Sequence, residues 1–165
     1  IINNIDSNFL KMDITAVVSN NSNAKGLARA EEVGIKTIVI DTSNKYIDQL
    51  LAIANTYDID LILLSGFMKI LPDNFIQSFH GPIINIHPSL LPKYKGINTH
   101  QRAIDNGDSY AGCTVHHVTK DLDAGEIIIQ KSIKIEVNET VESLSSKVLE
   151  LEHQAYSEAL TKIIN

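Results

Sequence analysis

The chain has 165 residues, 44% hydrophobic and 21% charged, with a net charge of −6. That suffices for one domain over residues 1–165 with a core of its own, and the acidic balance disfavours a general grip on nucleic acid. Cys113 is the only cysteine, which excludes an internal disulfide and fits a cytoplasmic setting; no apolar run approaches the roughly 18 residues of a membrane span.

In chain order, Phe9, Leu10 and Met12 suit the end of a helix packed on a sheet. Residues 13–20 read as a buried strand closed by polar turn residues. A helix follows over 24–33, stopped by Gly34, and then a second strand over 36–40. Residues 44–57 carry apolar side chains at Ile47, Leu50, Leu51 and Ala54, one face of a helix. Residues 60–64 form a third strand whose unbroken apolar run predicts burial on both faces. Pro72 opens a helix to Phe79, residues 83–86 form a fourth strand, and 97–106 form a helix ended by Gly107. This alternation argues for a doubly wound α/β domain. Strands over 112–118 and 126–135 then follow with no helix between them, which predicts an antiparallel pair. A last helix over 140–163 carries the stripe Val141, Leu144, Val148, Leu151, Ala155, Ala159 and Ile163. No glycine precedes Gly26, so no Gly-rich phosphate loop opens the chain: either phosphate is not bound that way, or a first strand is lacking.

The densest chemistry lies at Asn85-Ile86-His87-Pro88-Ser89-Leu90-Leu91-Pro92. Asn85 and His87 stand two apart on an extended chain, so amide and imidazole share one face at the end of a strand. Pro88 biases His87 toward an extended backbone. Such a pair suits polarising a carbonyl oxygen. The loop Asp121-Leu122-Asp123-Ala124-Gly125 offers a carboxylate that could fix the imidazole tautomer, if neighbouring strand ends bring the two together.

Residues 85–96, together with 65–71, 112–125 and Glu152-His153, resemble the folate-dependent formyltransferases, above all the branch acting on glycinamide ribonucleotide (GAR) in purine synthesis. The resemblance covers nearly the whole chain. It implies a Rossmann-like fold with a mostly parallel central sheet, antiparallel C-terminal strands and a long C-terminal helix. It also implies Asn85, His87 and Asp123 as a catalytic trio. The reaction expected is direct transfer of the formyl group of 10-formyltetrahydrofolate, a co-substrate, to the amine of GAR, with no metal and no covalent intermediate. The folate is expected against Met68, Lys69, Ile70 and Leu71 and against Thr119, Lys120, Asp121, Leu122 and Asp123. Leu64, Phe67 and Ile83 would wall that pocket, and Asn85 would reach into it. GAR is expected at Pro88 and along Leu149, Glu150, Leu151 and Glu152, with Glu152 on its amine side. The partners implied are these two small molecules, not nucleic acid or a membrane, and the chain is expected as a monomer or weak homodimer. The family's Gly-Ser-Asn loop for the ribose phosphate has no counterpart, and about 16 to 20 residues of first strand and loop are expected to be missing.

The sequence departs from the family pattern at His117, where an aromatic is preferred, at Lys120, and near Ser43 and Lys45, where some members carry a folate-side arginine. Relatives that formylate initiator tRNA or hydrolyse formyl-folate tend to lack the proline that stands here as Pro88. His116 and His117, adjacent on a strand, face opposite sides and make a poor metal pair; one faces the folate loop, or both are filler. His80 and His100 read as surface histidines, and His153 as packing or support for Glu152. Cys113 reads as a small buried residue, and Lys93, Lys95 and Arg102 as solvated charges or an attraction for anions.

Overall fold

The computed structural model describes residues 1–2, 11–41 and 46–164. The helix end expected at Phe9 and Leu10, and the positions of Ser43, Asn44 and Lys45, lie outside the described residues. In chain order the elements are β1 (Val17–Ser19), α1 (Lys25–Glu32), β2 (Thr37–Val39), α2 (Tyr46–Thr56), β3 (Ile62–Leu64) and α3 (Asp73–Ser78). They continue with β4 (Ile83–His87), α4 (Thr99–Asp105), β5 (Tyr110–His117), β6 (Ile127–Lys134) and α5 (Val141–Ile164).

The described strands form two sheets. β1 pairs in parallel with β2, and β3-β4-β5-β6 form a second sheet in that order. β3 and β4 are parallel; β4 and β5 are antiparallel although α4 lies between them in the chain, and β5 and β6 are antiparallel, as their helix-free connection predicts. The expected strand over 13–20 is cut to Val17–Ser19, because only those residues find partners on β2. Its three residues are half-buried, not buried.

β3 also departs from expectation. Its side chains do alternate between two apolar clusters, Leu63 into one and Ile62 and Leu64 into the other. All three nevertheless stay half-exposed, because β3 is the outer strand of its sheet among the described residues. Burial on both faces does not close an open edge.

β4 is the strand both clusters share. Ile84 and Ile86 face a cluster built with Leu144, Val148, Ala155 and Ala159 of α5. Ile83 faces the other, with Leu71, Phe75 and Phe79. The α5 stripe buries Leu144 and Val148 completely. Each such side chain contributes about 1.5–3 kcal/mol of burial. Tyr156 of α5 donates its hydroxyl to the Leu64 carbonyl at 2.7 Å, tying the helix to the end of β3. Among the described residues, no helix is long and apolar enough to cross a membrane.

Candidate active site

The site begins where β4 ends. Asn85 and His87 project from one face of β4 and pair across the ladder with His116 and Thr114 of β5. His87 is 6% exposed. Its Nε2–H donates to the Tyr94 carbonyl at 2.9 Å, and its Nδ1 lies 3.4 Å from Asp123 Oδ2. With Nε2–H committed to Tyr94, Nδ1 carries a proton toward the carboxylate only in the imidazolium.

The segment after His87 is clamped onto the sheet. Thr114, fully buried, donates to the Ser89 carbonyl at 2.6 Å and accepts from the Leu91 N–H at 3.1 Å. Gln130 of β6 donates to the Leu91 carbonyl at 2.8 Å. Tyr94 holds a left-handed backbone (φ 55°) that costs energy and persists only where its surroundings enforce it. Here its hydroxyl donates to Asp108 at 2.8 Å, and the Arg102 guanidinium lies 4.9 Å over its ring. Lys93 pairs with Asp108, and Arg102 donates to the Lys95 carbonyl at 2.8 Å. These two cations therefore have partners that brace the loop, although Lys93 stays largely solvated.

Asp123 reaches the same place from the loop after β5. A Cβ at Gly125 would collide with the His117 carbonyl, so only glycine lets the loop turn back so close to β5. Asp123 takes a left-handed backbone (φ 46°) and is 9% exposed. Its Oδ2 accepts the Gly96 N–H at 2.9 Å, which joins the two loops beside His87.

His116 is the member of the site that sequence reasoning left undecided. It lies directly across from Asn85, is 2% exposed, and places Nε2 at 3.3 Å from Asn85 Nδ2 and 3.7 Å from Asp123 Oδ1. Its Nδ1–H donates to the His117 carbonyl at 2.8 Å. Burial lowers its pKa, against the opposing pull of that hydrogen bond and of Asp123. The signal was the i, i+2 spacing of Thr114 and His116, which matches that of Asn85 and His87 on the facing strand.

Asn85, His116 and Asp123 line a cleft partly open to solvent. Leu64, Phe67, Lys69, Ile70 and Leu71 form one side. Thr119, Lys120, Asp121 and Leu122 form another. Two expected contacts are placed elsewhere, while the ring nitrogens of His87 are engaged by the Tyr94 carbonyl and Asp123. Met68 is 78% exposed and turns outward. Ile83 lies in the apolar cluster beneath, against which Leu64 and Phe67 pack.

On α5, Leu149 and Glu150 are exposed, whereas Leu151 and Glu152 are half-buried. Burial raises the pKa of the Glu152 carboxyl. His153 is exposed, against the expected packing or supporting role. Pro88 is half-buried and belongs to a separate, smaller recess that it shares with His100 and Tyr94. His100 is not the surface residue expected: burial, then the charge of His87, lower its pKa, and its Nδ1 is sealed without a partner. Cys113 is fully buried as expected, with its thiol pushed up to about 12 by burial and then by the charge of Glu152.

The Formyl transferase family profile matches residues 1–160. The chain belongs to the formyl transferase family. Within it, the chain is 37% identical over 161 residues to phosphoribosylglycinamide formyltransferase of Escherichia coli, covering 94% of this chain and 76% of that protein. It is 41% identical over 153 residues to the trifunctional purine biosynthetic protein adenosine-3 of Gallus gallus. That match covers 90% of this chain but only 15% of that relative's length. The fold superposes on the crystal structure of phosphoribosylglycinamide formyltransferase from Anaplasma phagocytophilum with a TM-score of 0.86 and 42% identity, covering 90% of this chain and 72% of that one.

Proposed function

We propose that this chain transfers the formyl group of 10-formyltetrahydrofolate to the amine of GAR. The observation that carries this reading is the convergence of Asn85, His87 and Asp123, from a strand end and a separate loop, beside a cleft of mixed apolar and polar lining in a chain of this family. The folate pterin enters between the segment at Lys69, Ile70 and Leu71 and the loop at Thr119–Asp123, where backbone groups can read its edge. GAR approaches from the α5 side, with its amine toward Glu152.

The amine lone pair forms a bond to the formyl carbon, and the carbonyl π pair moves onto oxygen. An N–H of Asn85 and the positive charge of His87 stabilise that oxyanion. Asp123 keeps His87 oriented from its Nδ1 side. Collapse re-forms the carbonyl and breaks the bond to the folate nitrogen. That nitrogen receives one proton, and the amine gives one up, so formyl-GAR and tetrahydrofolate leave with no net change in charge.

The test uses the complete gene product and 10-formyltetrahydrofolate with GAR, with initiator Met-tRNA, or with no acceptor. Turnover with GAR alone is expected. Turnover without an acceptor would make the protein a hydrolase, and turnover with tRNA alone would make it a tRNA formylating relative.

A further inference from the structure

We infer that His116 is a positioning residue: it sets which way round the Asn85 amide sits, so that an amide N–H and not the amide oxygen serves the substrate. This rests on the formyl-transfer reading above. An asparagine side chain is nearly symmetric in shape, and only its neighbours decide which end is N and which is O. Here the neighbours decide it. His116 Nδ1 lies 2.8 Å from the His117 carbonyl, an acceptor, so Nδ1 bears the proton. In the neutral ring, Nε2 is then a lone pair. Asn85 Nδ2, 3.3 Å away, is the group that can donate to it. One amide proton is spent on His116, and the second on the same nitrogen is left for the substrate oxygen. The cross-strand register places the two side chains directly opposite, so the pairing needs no loop to hold it.

The charged groups facing His116 are Asp123 on the loop after β5, His87 on β4 and His117 beside it. Protonation at Nε2 would reverse the arrangement. Nε2–H would turn to Asp123 Oδ1, now 3.7 Å away, and Asn85 would have to present its oxygen to His116. The donor end of the amide would be lost to the reaction. Burial opposes this, and Asp123 favours it. The site therefore holds its working arrangement until the pH falls below the ordinary imidazole value of about 6.5.

Two measurements test the proposal. The first needs no turnover. In 15N-histidine-labelled protein at pH 8, long-range 15N–1H correlations should show His116 protonated at Nδ1 and bare at Nε2. A proton on Nε2 at that pH would overturn the proposal. The second compares His116→Leu with His116→Gln, whose side-chain oxygen can stand near Nε2 as an acceptor that does not titrate. The leucine variant should lower kcat about tenfold to a hundredfold, less than outright loss of an oxyanion donor, with the folate KM within about twofold. The glutamine variant should keep at least about fivefold more kcat than the leucine variant. Equal rates in the two variants would overturn the positioning role. Should the wild-type protein transfer no formyl group to GAR, the functional reading fails. The 15N measurement then decides the His116 arrangement by itself, as it does if the leucine variant does not fold.

Discussion

Two loops meet at His87, and they are built in opposite ways. The loop that follows β4 is fastened at almost every residue. Thr114 and Gln130 hold Ser89 and Leu91, Asp108 and Arg102 hold Tyr94, and Ser89 donates to the Lys93 carbonyl at 2.6 Å. The loop that follows β5 exposes Thr119, Lys120, Asp121 and Leu122, with an internal bond of 3.3 Å from Thr119 to the Asp121 carbonyl. It is anchored at Asp123 by Gly96 and at Gly125 by its close approach to His117. On the proposed function, the firm loop would carry geometry that cannot shift by an ångström without loss of rate. The open loop would present the surface against which the folate enters. Precision and access are thus divided between two segments that share one carboxylate.

Substitutions at graded distances from that shared point sharpen the contrast. His87→Ala should cost about 10²–10⁴-fold in kcat, with the fold retained by circular dichroism; a wild-type rate would remove His87 from the chemistry. Asp123→Asn can still accept the Gly96 N–H, yet it loses the negative charge facing Nδ1. It should lower kcat roughly a hundredfold and move the pH–rate profile, and an unmoved profile would break the pairing. Thr114→Val should leave the Leu91 N–H unpaired in the interior and cost about 1–3 kcal/mol in urea unfolding. Because the firm loop loosens, kcat should fall about tenfold while the folate KM holds, in keeping with the price of small misplacement. Leu122→Ala, on the open loop, should do the reverse: the folate KM rises by less than about fivefold, kcat stays, and stability is unchanged. If Thr114 and Leu122 gave the same pattern, the division between the loops would be lost.

How much of this could be read from sequence follows from which interactions are local. The strands and helices were legible because their apolar spacing is a property of adjacent residues. Asn85 and His87 were legible for the same reason, since i and i+2 share a face wherever a strand forms. Asp123 needed the resemblance, because 36 residues separate it from His87 and spacing alone cannot bring them together. His116 needed the register of β4 against β5, which only the folded sheet supplies. The exposure of β3 depended on what lies beside it, and apolar content reports the faces of a strand, not its edges. Lys93 and Arg102 looked like free charges because their partners, Asp108 and the Tyr94 ring, are non-local.

The central claim is that the formyl group passes directly from folate to amine, under the field of Asn85 and His87. A single turnover of the complete protein with 14C-formyl-labelled folate and excess GAR, quenched at intervals, tests it most directly. The account predicts that label leaves the folate and appears in formyl-GAR at the same rate, with none on protein precipitated at any time. Label that accumulates on the protein before reaching GAR, or that leaves as formate, would contradict it.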